Sequence, residues 1–175
     1  MALAAKRPYV ANKPEARLSI AVDRFLRRAL VRPCYVTAIH DSDGGERTMQ
    51  QRVRDKNRGI SKGQLDWLVV QTGVYRSLEL KRGKNGLSDA QHQTVADLTA
   101  CGFPPVVAWS LGEVYEGLAA AGSQFAENVA TVLQHCEEQL AGWDREAADV
   151  LAGVVVKKRA APRKAGPRYE WKIRI

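Results

Sequence analysis

Cysteine and histidine are too sparse and too scattered in these 175 residues to build a metal centre between them. Cys34, Cys101 and Cys136 are odd in number and far apart, which excludes a closed disulfide framework and a CxxC zinc site. They read as small buried apolar side chains. His40, His92 and His135 lack the HxxxH spacing with an adjacent acid that a metal-binding helix needs. No apolar run approaches the ~20 residues that span a bilayer, and no signal-like hydrophobic stretch opens the chain. The expectation is a cytoplasmic protein without a membrane partner. A P-loop is missing too, because Gly83-Lys84-Asn85-Gly86 lacks the G-K-[ST] ending and its upstream glycine. What is present is 45% hydrophobic and 26% charged residues, enough apolar material for one compact domain.

The charge is unevenly placed. Residues 157–175 hold eight basic side chains against the single acid Glu170, a net of +7 out of +8 for the whole chain. Pro162, Gly166 and Pro167 break any regular element there. Such a tail, with Lys157, Lys158, Arg159, Arg163 and Lys164, either binds nucleic-acid phosphates through counterion release or is a solvated end. Tyr169 and Trp171 between the basic residues suit base stacking or docking on the domain.

Periodicity orders the rest of the chain. After a flexible lead-in over residues 1–13, Leu18, Val22, Phe25, Leu26 and Ala29 recur at helical spacing. Asn12 with Glu15, and Pro14 in the first turn, cap this helix, and Pro33 stops it. Cys34 to His40 predicts a strand, Asp41 to Arg47 a loop, and Thr48 to Asn57 a polar segment whose arginines could face DNA. Strands over Leu65 to Gln71 and Val74 to Lys81 flank Thr72-Gly73 as a hairpin. A Ser88/Gln91 capping box opens a helix that Gly102 ends, Pro104 to Trp109 is a strand, and Ser110 with Glu113 caps the next helix. A helix from about Gln124 to Leu140 and a last piece from Asp144 to Leu151 follow. The order predicts an α/β fold, a mixed sheet with helices on its faces. The division is a core over residues 14–122, C-terminal helices over 123–152 whose apolar stripe suits a homodimer or partner, and a basic tail over 153–175.

A two-residue Thr72-Gly73 turn puts Asp66 directly opposite Glu79, with Cβ atoms ~5 Å apart on one sheet face. Alternation adds Lys81 to that face and sends Trp67, Val69, Leu78 and Leu80 to the other. Two carboxylates so placed repel unless a cation joins them, and Mg²⁺ suits Asp66, Glu79, the Leu80 carbonyl and retained waters. A cation there acidifies a bound water, which Lys81 orients or deprotonates, and the pattern reads as metal-assisted phosphodiester hydrolysis. The alternative is a solvent-exposed cross-strand cluster of opposite charges. Arg76, Arg82 and Lys84 are candidate phosphate anchors near the acids.

Glu15, Gly63-Gln64-Leu65-Asp66, Glu79-Leu80-Lys81 and Leu87-Ser88-Asp89-Ala90-Gln91 together resemble the VRR-NUC family of the PD-(D/E)xK nuclease superfamily. The resemblance covers residues 14–120, and His40-Asp41-Ser42-Asp43-Gly44-Gly45 is similar to the family's glycine-bearing loop. It implies a restriction-endonuclease-like sheet and a Mg²⁺- or Mn²⁺-dependent DNA-cleaving site. Glu15, Asp66, Glu79 and Lys81 would carry that site, with Gln91 close by. Leu65 stands where the family has proline, and Asp41 to Asp43 where its loop often has Pro-Asn. Stand-alone members are typically structure-specific nucleases, some acting on branched DNA as homodimers, and many lie in phage genomes. The chain is therefore expected to be a structure-specific deoxyribonuclease. The alternative is a nucleic-acid-binding or phage structural protein that keeps the fold without cutting. Glu15 and Gln91 also have purely structural readings, as partners in capping boxes with Asn12 and Ser88.

Overall fold

A computed structural model describes residues 13–39 and 63–152. The expected features at Asn12, at 40–62 and in the tail (Lys157, Lys158, Arg159, Arg163, Lys164) lie outside the described residues. The elements run α1 (Pro14–Ala29), β1 (Cys34–Ala38), β2 (Trp67–Gln71), β3 (Val74–Leu80), α2 (Asp89–Ala100), β4 (Val106–Ala108), α3 (Leu111–Ala120) and α4 (Val129–Leu151). The strands form a mixed α/β arrangement, a sheet in the order β1-β2-β3-β4 with β1 to β3 antiparallel and β4 parallel to β3.

The two faces of this sheet differ. Trp67 and Val69 of β2 and Leu78 and Leu80 of β3 point to one face, where Leu18, Val22, Phe25 and Leu26 of α1 bury against them. Leu111, Val114 and Leu118 of α3 and Cys136 and Leu140 of α4 complete the same core. Gly117 lets α3 approach the sheet, since a Cβ there would lie 2.5 Å from a Val106 methyl. The opposite face carries α2, no residue of which is buried.

Several expected boundaries move, each for a local reason. The N-cap of α1 is Lys13, without a side-chain cap bond, and Glu15 turns to Asn85 instead of back to the helix start. β2 starts at Trp67 and not at Leu65, because the Asp66 side chain takes the Leu80 N–H in place of a ladder carbonyl. β4 starts at Val106, since Pro104 and Pro105 have no N–H to donate. The C-terminal segment is one helix from Val129, not two from Gln124. Residues 124–126 instead pair with the end of α1, through Val31 N–H to the Gln124 carbonyl (3.0 Å) and Ala126 N–H to the Ala29 carbonyl (2.8 Å). Gly142 does not interrupt α4, because Gln139 before it accepts from Arg24 (2.9 Å) and Asp144 after it pairs with Arg17 (2.7 Å), which ties both sides of it to α1. Of the cysteines only Cys136 is buried; Cys34 is half-buried and Cys101 exposed.

The buried Gln71 side chain fastens this corner. Its amide nitrogen donates to the carbonyls of Val31 (2.7 Å) and Gln124 (3.0 Å), and its oxygen accepts from Gln124 N–H (2.7 Å). Gln71→Leu removes the partner of the Val31 carbonyl and of the Gln124 N–H, at a cost of roughly 1–3 kcal/mol. Urea unfolding is expected to show a lower midpoint at unchanged slope; an unaltered midpoint would mean that the corner holds without the amide.

Candidate active site

The observed register sums to the expected pairing, with Trp67 opposite Leu78 and Val69 opposite Arg76. The ladder ends at Trp67–Leu78, one step short of the expected Asp66–Glu79 pair, and Asp66 stays beside β3 by accepting the Leu80 N–H on Oδ2 at 2.8 Å. β3 then leaves the sheet through Lys81, whose N–H reaches the Ala108 carbonyl at 2.8 Å. The backbone around the three charged residues is thus fixed by β2 on one side and β4 on the other.

Glu79 is 1% exposed, so the triad is not the solvent-exposed cluster that its letters alone allow. Its Oε1 receives the Lys81 ammonium at 2.7 Å and a short hydrogen bond from the Gln91 amide nitrogen. The Gln91 oxygen accepts from Lys81 Nζ (3.1 Å) and from Ser88 N–H (3.0 Å). Donors on the oxygen side and a carboxylate on the nitrogen side fix the orientation of that amide. The capping box of α2 is present as expected, and Gln91 serves both the helix start and the site.

The other oxygen, Glu79 Oε2, is buried without a hydrogen-bond partner. Burial pushes the Glu79 carboxyl above the usual carboxylate range and the Asp66 charge adds to this, while Lys81 and Gln91 pull it back. Gln64 Oε1 and Ser123 Oγ are the other unpartnered buried side-chain atoms among the described residues, and both are neutral. An anionic oxygen left bare beside a second carboxylate fits a hard divalent cation. The donors would be Asp66, Glu79 and the Leu80 carbonyl. No group of three or more His, Cys, Asp or Glu side chains is gathered among the described residues, so water would fill the remaining positions, as Mg²⁺ commonly allows.

Asp66 lines a cleft of about 500 Å³ with Ser19, Asp23, Arg24 and Trp67, a cleft that neither Glu79 nor Lys81 lines. Glu15 is placed elsewhere: Asn85 donates to its Oε1 at 2.8 Å, and it opens into a separate cleft of about 530 Å³ with Arg17, Arg82 and Asp144. Arg82 is ion-paired with Asp144, and Lys84 is exposed in the same loop. Arg76 points to the sheet face away from Glu79, where it lines a cleft with Val106, Trp109 and Glu113. Sequence reasoning missed Asn85 and Asp144. Asp144 accepts from Arg17 and Arg82, which lie 127 and 62 positions away, and no local pattern signals such a bridge.

The raised Glu79 pKa gives a sign to test. Its contribution to stability is fully present below the ordinary value of 4.5 and is lost as pH rises through the higher folded value. In EDTA, Glu79→Gln is therefore expected to melt above wild type at about pH 8, with the gap closing near about pH 4. Thermal melts at both pH values check this, and a variant that is less stable at the higher pH contradicts it.

No family model, curated protein or solved structure matches the chain, and the candidate site rests on its own geometry.

Proposed function

We propose that this chain is a Mg²⁺- or Mn²⁺-dependent deoxyribonuclease with a restriction-endonuclease-like fold of the VRR-NUC kind, acting on branched or junction DNA. The observation that carries this reading is Glu79, a buried carboxylate with one oxygen clamped by Lys81 and Gln91 and the other bare beside Asp66. The preference for branched DNA rests on the family resemblance alone.

In this reading Asp66, Glu79 and the Leu80 carbonyl would hold the cation. Such a cation would supply a more acidic water and positive charge opposite the phosphodiester. Lys81 presents its ammonium from a fixed position, since Glu79 and Gln91 both engage it, and there it orients the attacking water or neutralises the phosphate. Gln91 is a positioning residue, acting through Lys81 and Glu79. Asp66 is itself positioned by the Leu80 N–H, so the β2–β3 pairing sets the separation of the two carboxylates.

Cleavage of labelled single-stranded, duplex, flap and four-way-junction DNA in Mg²⁺, Mn²⁺ or EDTA tests the proposal. Glu79→Ala and Lys81→Ala are expected to lose about 100-fold or more of a metal-dependent activity. Gln91→Ala should lose about 10–100-fold. Added Mn²⁺ should also raise the melting temperature of wild type but not of Glu79→Ala, which reads the cation without reading catalysis. DNA binding without cutting, equal in all variants, would replace the enzyme by a binding protein.

A further inference from the structure

The two edges of the sheet are finished differently. At the β4 edge Lys81 N–H reaches the Ala108 carbonyl, so Val106 and Ala108 turn their backbone groups toward β3 and Val107 turns its own outward. Pro105 before it has no N–H to offer, and the Trp109 N–H after it is taken by Glu113 Oε2 at 2.6 Å. An incoming strand would find a single residue to pair with there.

The β1 edge has none of these guards. Ile39 N–H donates to the Asp66 carbonyl at 2.9 Å, directly opposite in register, so Tyr35, Thr37 and Ile39 spend their backbone groups on β2. Alternation turns the N–H and C=O of Cys34, Val36 and Ala38 away from β2, and no strand among the described residues pairs with them there. The Ala38 carbonyl is met by the neighbouring Thr37 hydroxyl at 3.2 Å, which leaves its second lone pair for another donor. β1 contains no charged residue, no proline and no bulge. Such an edge is a template for strand addition, which proteins otherwise block with charge, proline or a cover.

Symmetry and charge select the occupant. A two-fold axis between identical edges makes them run antiparallel. With Val36 on that axis, Cys34 comes opposite Ala38 of the second copy and Val36 opposite its own counterpart. All outward backbone groups are then matched in hydrogen-bonded pairs, with about six N–H···O bonds. Tyr35 and Thr37 alternate with them as the closer pairs, so Tyr35, 59% exposed in the single chain, packs on Thr37 of the second copy. Like charges directly opposite each other weaken such a pairing, and β1 brings none. The apolar stripe of α4 does not compete for this role, because Cys136 and Leu140 are buried within the chain's own core.

We infer that the free edge of β1 is a self-association surface, through which two copies pair antiparallel about Val36 and join their four-stranded sheets into one. The inference stands on the backbone pattern of β1, whether or not the chain cuts DNA. Five residues from each copy bury less than the roughly 1,200 Å² of a standard-size interface, so the dimer is expected to dissociate on the order of 10 µM.

The test is sedimentation velocity of the full chain in EDTA from about 1 µM to about 500 µM, which should pass from monomer to dimer and stop there, since pairing uses up the open edge. Amide exchange followed by NMR across the same range reads the contact without a substitution. Exchange at Cys34, Val36 and Ala38 is expected to slow about tenfold or more, well beyond any change at Tyr35 and Thr37, which β2 already protects. Ala38→Pro removes an N–H that the β2 ladder does not use, and it should weaken the dimer about tenfold while the chain melts near wild type. In an Ala38→Cys variant, mild oxidation should join Cys34 of one copy to the introduced thiol of the other, because hydrogen-bonded partners lie about 5.5 Å apart between Cα atoms. The same two positions within one chain are about 13 Å apart along the strand and cannot be bridged. A chain that stays monomeric throughout the range overturns the surface. So does a dimer in which exchange slows elsewhere and the introduced thiol does not find Cys34, and growth beyond the dimer overturns the two-fold arrangement.

Discussion

A carboxylate withdrawn from water costs several kcal/mol unless neighbouring groups carry its charge. Glu79 is withdrawn almost completely, and the arrangement around it follows from that. Lys81 is two residues on, the closest position from which a side chain of the same strand returns to the same face. Its ammonium reaches only one oxygen, and Gln91 joins it there. Both neutralising contacts converge on Oε1, and the second oxygen is left bare. A pair evolved for stability alone would be expected to satisfy both oxygens or to be replaced by apolar side chains, which is often neutral or stabilising. The remaining deficit is the kind of local cost that functional sites retain.

The same constraint explains a helix that packing does not. α2 buries none of its residues, so the hydrophobic effect gives it little reason to lie where it does. It is fixed by polar and steric contacts. Its Ser88 cap and Gln91 amide close on the Glu79–Lys81 pair, and Gly63 meets its backbone so closely that a Cβ would sit 2.3 Å from the Ala90 carbonyl oxygen. Gly63 also has φ of 84°, a region that side chains other than glycine's rarely adopt. One glycine therefore serves both the turn into β2 and the seat of α2, three residues before Asp66.

What was legible in the sequence was what local periodicity encodes. The apolar stripe of α1, the hairpin register and the capping box at Ser88 each involve partners within one element or one turn, and all three are found in place. The register that brings Asp66 toward Glu79 follows from turn length alone. What was not legible depends on residues far apart in the chain. Residues 124–126 carry helix-compatible letters, yet they pair with the end of α1 because Gln71 and Ala29–Val31 offer hydrogen bonds that a helix start would forgo. Asp144 reads as an ordinary first-turn acid of a short helix, and only the packing of α4 on α1 shows that it bridges Arg17 and Arg82. Burial of Glu79 was equally invisible, since an E-x-K triplet is written the same way in water and in a core.

The bridge at Asp144 changes how the site is supported. Arg82 follows Lys81 directly, and its partner comes from α4, beyond the stretch that resembles a nuclease core. The loop leaving β3 is held from that side by Asp144 and from the other by Asn85, which contacts Glu15 in α1 and offers its carbonyl to the Trp109 indole at 3.2 Å. Lys81 is therefore framed by three elements in addition to its own strand. Cys136 and Leu140 bury α4 against the same residues of α1 that cover β2 and β3, so α4 is tied to the sheet by both apolar and ionic contacts. With the apolar core confined to one side, β3 can spend its alternate residues on the other, where Tyr75 is exposed and Ser77 and Glu79 are buried outside the core. The two-residue period of a strand is what keeps these tasks from interfering.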